Sequence, residues 1–505
     1  FGSSHFGSRL KKAPSRANLC IVPPPRTAAL SPEMLSGLPR LQLPADAPLE
    51  FITDVEGNWE YLHTLVERSA VLSWQKDDPS LLALAAGGYL VYGGDAPDKG
   101  PADLRVTRAL VCLQRANPDR VFLLAGNRDV NKLRLGAELA PGELPDRDPM
   151  PYIDQISWSG KKKQFDEFLK ERSLARTPFS GLRWLLEETF GAKTGIATRR
   201  AELEALGQPA ADDDILRSFA EQVDPTAAEP WTLLYLRAAH IMLVIGDCLF
   251  IHGAVRSHGL LLVPAEECRD GDRDTQPPPL RLPSTTLLEA WAAEMNAWKA
   301  RQLRLYEAFP RFVKSGNGHR WRGGQPLMMP SLAGCHVMTD GFLLKGNPAP
   351  LDPDVAEYLA RNGIRRVFAG HQPQGLSPGV MRTPGTGIVV LVADTTFSDP
   401  AADKSRNPAD TRGTAVSMVT IRTGTTEVRG TLPDGTEHGF TLHVDWSADQ
   451  GAAALVGRQL RDDSWGRTVV AGQLQTFRGE GFKLHHALLD EEQATAQLHE
   501  SYAMA

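Results

Sequence analysis

Short apolar runs bounded by Gly, Asp or Asn recur at residues 50–53, 88–93, 120–125, 242–251, 365–369 and 388–393, and read as buried strands. Between them, apolar positions recur at helical spacing over 58–68, 102–115, 162–172, 211–223, 285–309 and 353–362. In the first of these, Trp59, Leu62, Leu65 and Val66 make a single stripe, so that helix has one face to bury. Beyond residue 410 strand-like runs take over, at 415–422, 426–431, 437–444, 467–475 and 481–487. Strands alternating with helices predict a layered α/β sandwich with a mainly β C-terminal part. Two long intervals, a largely helical one at 135–240 and a mixed one at 256–364, interrupt the core as cap insertions. The chain therefore divides into a tail (1–46), a core with its two insertions (47–414), and a β-rich region (415–505) that completes or flanks the sandwich.

Composition narrows this picture little. The chain has 505 residues, 42% of them hydrophobic and 23% charged, as expected of a globular protein. A net charge of -6 gives no overall signal for nucleic acid or an anionic membrane, and no apolar run is long enough to span one. The five cysteines are scattered, never as C-x-x-C, which argues against a disulfide framework or a thiolate zinc site and for a reducing compartment. The first 32 residues differ: Arg9, Lys11, Lys12, Arg16 and Arg26 precede the first acid, Glu33, among Ser and Pro. They read as a disordered tail or the remnant of a targeting segment, so a cytoplasmic location is expected, with an organelle as the alternative.

The chemistry gathers at strand ends. "ITDVEGN" places Asp54 and Glu56 after the first strand, and "VYGGDAPDKG" places Asp95, Asp98 and Lys99 after the second. "LLAGNRD" supplies Asn127, Arg128 and Asp129, "FIHG" supplies His252, and "VFAGHQPQG" supplies His371. Each piece alone is a common turn or cap. Carboxylates, a carboxamide and imidazoles at the ends of separate strands together suit a pair of divalent cations.

The ordered series D-x-E-G-N, G-D-x-x-D-K-G, G-N-R-D, I-H-G, G-H-x-P resembles the calcineurin-like metallophosphoesterases. It looks closest to their phosphoprotein phosphatase and diadenosine tetraphosphatase branch, whose fourth motif is H-G. The likeness covers about 48–130, 242–256 and 365–396. It implies that Asp54 and Glu56 hold one metal, that Asp95 bridges to a second, and that Asn127, His252 and His371 complete the second. It also implies in-line attack on phosphorus by a water activated between the two cations, with Lys99 in the place of a phosphate-binding Arg.

Two positions depart from the family pattern. Glu56 stands where the family has His, which adds an oxygen ligand and shifts the expected preference to manganese, iron or magnesium over zinc. Arg128 stands where the family has the His that protonates the leaving oxygen. Paired with Asp98, its guanidinium can clamp phosphoryl oxygens but cannot donate a proton. Leaving groups that are already acidic then suffer least, which favours a phosphoanhydride or activated ester. Lys132 and Arg134, just beyond Asn127, are further candidates for binding phosphate; Arg105 and Arg108 are equally well read as a solvated face.

In "GNGHRWRGGQP" (316–326), His319, Arg320, Trp321 and Arg322 fit either a base-stacking loop or a surface turn with a buried Trp. His63, His240, His258 and His336 read as structural, and Asp394 as a residue supporting a ligand. The expectation is a phosphoesterase for a small, nucleotide-like phosphorylated substrate, with no membrane partner and nucleic acid disfavoured. A serine/threonine phosphoprotein phosphatase and a pseudophosphatase that only binds are the rivals. The oligomeric state is left open.

Overall fold

The computed structural model describes residues 40–44, 46–140, 163–268, 277–314, 320–395, 415–480 and 483–503. Two sheets face each other. Across the first, the strand order is Glu437–His443, Thr425–Thr431, Val416–Arg422, Leu49–Ile52, Tyr89–Tyr92, Val121–Leu123. Across the second it is Gly379–Thr383, Ile388–Val392, Arg366–Ala369, Cys248–Ile251, Met242–Ile245. The middle of each sheet is parallel: Leu49 lies beside Tyr89, Leu90 beside Val121, Arg366 beside both Cys248 and Val389. Parallel strands covered on both faces need apolar sequence, and every residue of Leu49–Ile52, Cys248–Ile251 and Ile388–Val392 is buried, including Glu50, whose carboxylate accepts from Ser69 Oγ and Ala70 N.

Phe51 from the first sheet meets Phe250 and Phe368 from the second at ring-centroid distances of 5.7 and 5.8 Å, and those two stack at 5.1 Å. This aromatic contact closes the sandwich, and the parallel strands of each sheet point their C-terminal ends at one rim. The architecture is the expected α/β sandwich.

The region after 415 enters the fold in two ways. Val416–Arg422 pairs antiparallel with Leu49–Ile52, with Ile421 opposite Leu49, so the next hairpin extends the first sheet. Trp465–Val470, Gln473–Glu480 and Lys483–Leu489 form a separate three-stranded sheet.

Two expected strands are hairpins. The run 242–251 reverses after Ile245, where Gly246 has φ 54°, and residues 467–475 belong to two strands joined at Ala471 (φ 48°) and Gly472 (φ 83°). Apolar periodicity cannot show a reversal; the Gly-Asp and Ala-Gly pairs inside those runs were its signal.

The first insertion is helical where described, with Pro178–Trp184, a π-helical turn Leu185–Phe190, Gly195–Ala205, Asp212–Glu221 and Trp231–Ala238. Buried Arg199 ties it to the core through Asp103 (3.3 Å) and to its own helix through Glu202 (3.2 Å). In the second insertion Leu288–Ala308 buries Trp291 and Trp298, whose indole N–H groups donate to the Leu262 and Ala265 carbonyls at 2.9 and 3.1 Å.

Candidate metal centre

The loops after the first two parallel strands are zipped together by their backbones. Asp54 N donates to Gly94 O (3.0 Å), Glu56 N to Asp95 O (3.0 Å) and Gly57 N to Ala96 O (2.8 Å). Asp54, Glu56, Asp95 and His371 all have left-handed backbone, at φ 51°, 49°, 54° and 73°. Non-glycine residues avoid that region, and four candidate ligands sharing it at one rim marks a place where side-chain placement outweighs backbone ease.

The structure brings Asp95, His252 and His371 together, with one ligand atom from each lying within 4.8 Å of the others. Asn127 joins them through Oδ1, 3.1 Å from His252 Nε2 and 2.8 Å from His371 Nδ1. The far nitrogens fix the tautomers: His252 Nδ1 donates to Gly93 O (2.8 Å) and His371 Nε2 to Thr339 O (3.1 Å), because a carbonyl can only accept. The near nitrogens then present lone pairs to a carboxamide oxygen and to Asp95 Oδ1, which lies 3.4 Å from His252 Nε2. Converging lone pairs of this kind are what a cation satisfies, and the backbone-tethered imidazoles match the usual support of metal-bound histidines. The donor set therefore fits a metal.

Asp54 and Glu56 do not join that tight group. Asp54 lies beside it, with both carboxylate oxygens 3.1 Å from His371 N, and it accepts from Thr53 Oγ1. Burial, then Asp394, then Asp95, push its carboxyl well above the usual range, and Glu56 adds to the effect. Glu56 is raised by burial and by Asp98 and Asp95, against Lys99 and Arg128. Mutually repelling carboxylates around one buried point are a charge deficit that divalent cations offset. Burial alone would depress the His252 ring, but Asp95 holds it above its ordinary value; His371 falls to about 4 through burial and the neighbouring His252.

The glycines flanking these residues are demanded by contact. A Cβ on Gly126 would meet Asp95 Oδ1 at 2.1 Å, and one on Gly370 would meet Asp54 Oδ2 at 2.1 Å.

Beside this cluster sits a cationic group built on Asp98. Its fully buried carboxylate faces Lys132 Nζ at 2.8 Å, Arg128 Nε at 3.5 Å and Lys99 Nζ at 3.6 Å. Burial would raise this carboxyl, yet Arg128, Lys132 and Lys99 together hold it far below the usual range. Arg128 also donates from its backbone N to Asp95 Oδ1 (2.8 Å) and from Nη1 to Phe190 O (3.2 Å), so the first insertion helps aim the guanidinium.

Lys132, expected to bind phosphate, is buried and spends its ammonium on Asp98. Arg134, also expected to bind phosphate, is buried, and its fork closes on Glu138 through two bonds of 2.9 Å. The short helix Asn127–Asn131 ends before Arg134, and the next, Arg134–Glu138, turns that side chain into the insertion. Arg105 lies over the Trp59 ring at 4.9 Å, and Arg108 faces Asp78 at 3.8 Å.

In the Gly-rich loop, residues 315–319 lie outside the described residues, His319 included. Arg322 is fully buried against Glu138 (3.1 Å), and Trp321 packs edge-on to Phe309 at 5.2 Å, so that stretch is structural.

Sequence reasoning passed over Asp129 as a working residue. Its buried carboxylate accepts from Gly126 N (2.7 Å), Asp95 N (3.0 Å) and Ala96 N (2.9 Å), and so locks the second and third motifs together. An acid three residues past a helix-starting glycine is a capping signal, and it was there to be read. Asp394, expected to support a ligand, is the charged neighbour that acts most on Asp54.

No protein-family profile matches the chain, and no curated protein does. Among solved structures it is similar to a cold-active protein-tyrosine phosphatase of a psychrophilic Shewanella species, at 16% identity and a TM-score of 0.35, covering 81% of this chain and 85% of the other. It is also similar to a protein serine/threonine phosphatase of Saccharomyces cerevisiae, at 13% identity and a TM-score of 0.33, covering 76% and 77%. Likeness at these values leaves the chemistry to the site itself. Among the described residues no helix is long and apolar enough to cross a membrane.

Proposed function

We propose that this chain is a metal-dependent phosphoesterase that hydrolyses a phosphomonoester or phosphoanhydride, with a small nucleotide-like substrate preferred. One observation carries the reading: Asp95, Asn127, His252 and His371 meet from four loops beside a guanidinium held on Asp98. Asp54, Glu56, Asp95, Asn127, His252 and His371 would hold two divalent cations at the rim. When bound, they supply positive charge to the phosphoryl oxygens and activate the attacking water.

The protein's own groups do the rest. Gly93 and Thr339 carbonyls fix the two imidazole tautomers, and Asp129 fixes the loops that carry Asp95 and Asn127. Arg128, aimed by Asp98 and Phe190, offers a planar guanidinium to the phosphoryl oxygens, and Lys99 adds a second charge. Arg128 stays protonated throughout, so it supplies no proton to the departing oxygen.

That feature also favours a second reading, a pseudophosphatase that binds a phosphorylated partner without turnover. The test is a substrate panel run with the metal-stripped chain reloaded with manganese: aryl phosphates, dinucleoside polyphosphates and a phosphoserine peptide. Turnover of the small substrates ahead of the peptide supports the proposal. Peptide first points to a phosphoprotein phosphatase, and no turnover with any metal favours the binding module.

A further inference from the structure

The turn Ser257–Gly259 and the short helix His336–Thr339 bring His258, His336 and Asp340 into a second cluster, outside the centre described above. His258 Nε2 lies 2.7 Å from Asp340 Oδ2, and His336 Nδ1 lies 3.3 Å from Asp340 Oδ1. One ligand atom from each residue lies within 4.8 Å of the others. The two rings pack edge to face at 4.5 Å, so each can turn a nitrogen toward the shared carboxylate.

Asp340 Oδ2 is hidden from solvent and accepts no hydrogen bond, although His258 Nε2 is near enough to donate one. The ring N–H is therefore not aimed at it. A buried carboxylate oxygen left without a donor is a position that a cation can satisfy.

The backbone holds this arrangement together. A Cβ on Gly259 would meet His336 Cβ at 2.6 Å, so only glycine lets the turn and the helix approach this closely. Gly253 N donates to Val337 O (2.8 Å), and Asp352 accepts from Ser257 N (2.7 Å) and Arg256 (2.7 Å), which pins the turn from its other side.

We propose that His258, His336 and Asp340 form a separate divalent-cation site that takes zinc. Two imidazoles and one carboxylate are borderline-soft nitrogen with hard oxygen, a set that suits zinc better than the all-oxygen shells of magnesium or calcium. With three protein ligands and the His258 side chain 60% exposed, a fourth position stays open to water or a small anion. The site does not rest on the phosphoesterase reading. It does adjoin that centre, because Thr339, next to Asp340, carries the carbonyl that fixes His371.

The test uses the full chain, stripped with a chelator, loaded with zinc, desalted and assayed for metal per chain by mass spectrometry. The wild type is compared with His258→Ala/His336→Ala and with Asp95→Asn/His252→Ala. The first variant should hold one equivalent less than wild type, and the second should retain that equivalent. Cobalt(II) gives a second readout: d–d absorption persisting in Asp95→Asn/His252→Ala should vanish when His258→Ala and His336→Ala are added. Because His258 is exposed, His258→Ala alone should fold normally and weaken zinc binding by roughly tenfold or more, the scale on which metal sites respond to loss of a supporting group. Equal zinc content and affinity in wild type and both His258 variants would overturn the proposal, whatever the first centre does.

Discussion

Replacing Asp98 by Asn tests whether the cationic group beside the metal centre is organised by one carboxylate. The change keeps the shape and removes the charge faced by Lys132 (2.8 Å), Arg128 (3.5 Å) and Lys99 (3.6 Å). With an effective dielectric of about 20, the gross attractions are about 6 kcal/mol for Lys132 and about 5 kcal/mol for each of the others. Desolvation of buried ions offsets much of this, and removing one partner of such a pair typically costs about 3–5 kcal/mol, because the remaining charge is stranded. Lys132 is the stranded group, its side chain only 6% exposed.

For a folded unit of about 400 residues the unfolding entropy is about 0.8 kcal/mol per kelvin, so the melting temperature should fall by about 4–6 K. Differential scanning calorimetry at pH 7 reads this directly. The pH dependence has a definite sign. The folded Asp98 carboxyl is depressed, so its stabilisation is complete above the unfolded value of about 3.9 and lost as pH falls through the folded one. The gap between wild type and Asp98→Asn should therefore hold from pH 8 to about 5 and shrink only below about 4. Lys132→Met in the Asp98→Asn background should restore part of the loss. If the two changes simply add, or Asp98→Asn melts with wild type, the carboxylate is not what holds the cations.

Other outcomes follow from the same geometry. Arg134→Met should lower the melting temperature, since it removes one of the two guanidiniums that hold buried Glu138, the other being Arg322, and leave KM for phosphate esters unchanged; a raised KM would return Arg134 to the substrate. Asp129→Asn should weaken manganese binding about 10–100-fold in a competition titration, because one amide oxygen cannot serve three backbone donors. Turnover should fall steeply as the leaving group becomes more basic, and Arg128→His should flatten that slope; equal rates for aryl and alkyl esters would refute the clamp-only role. Reloading the stripped chain should give more activity with manganese, iron or magnesium than with zinc, and Glu56→His should shift the preference toward zinc; zinc alone giving full activity in wild type would contradict this.

Much of the scaffold was legible because buried parallel strands need apolar runs, and those ending at Tyr92, Leu123, Ile251 and Val392 are such runs, while those ending at Ile52 and Ala369 carry one buried charge each, Glu50 and Arg366. The polar residues just past them were legible for the same reason, since only a strand's end exposes a side chain at the rim. The Arg134–Glu138 pair was harder to see, because sequence distance from Asn127 says nothing about a break in the helix, although Glu138 four residues on is the partner that a helical reading favours. The pairing of His258 with His336 and Asp340 was invisible: it is a contact between two distant stretches of the second insertion, set by the absence of a side chain at Gly259, and no local pattern encodes it.

The most direct test of the central claim is an anomalous difference map from crystals of the full chain loaded with manganese. The account predicts two peaks about 4 Å apart at the strand ends, one against Asn127, His252 and His371, one against Asp54 and Glu56, with Asp95 touching both. No peak among those residues at saturating manganese, or a single peak that Asp95→Asn leaves in place, would contradict it.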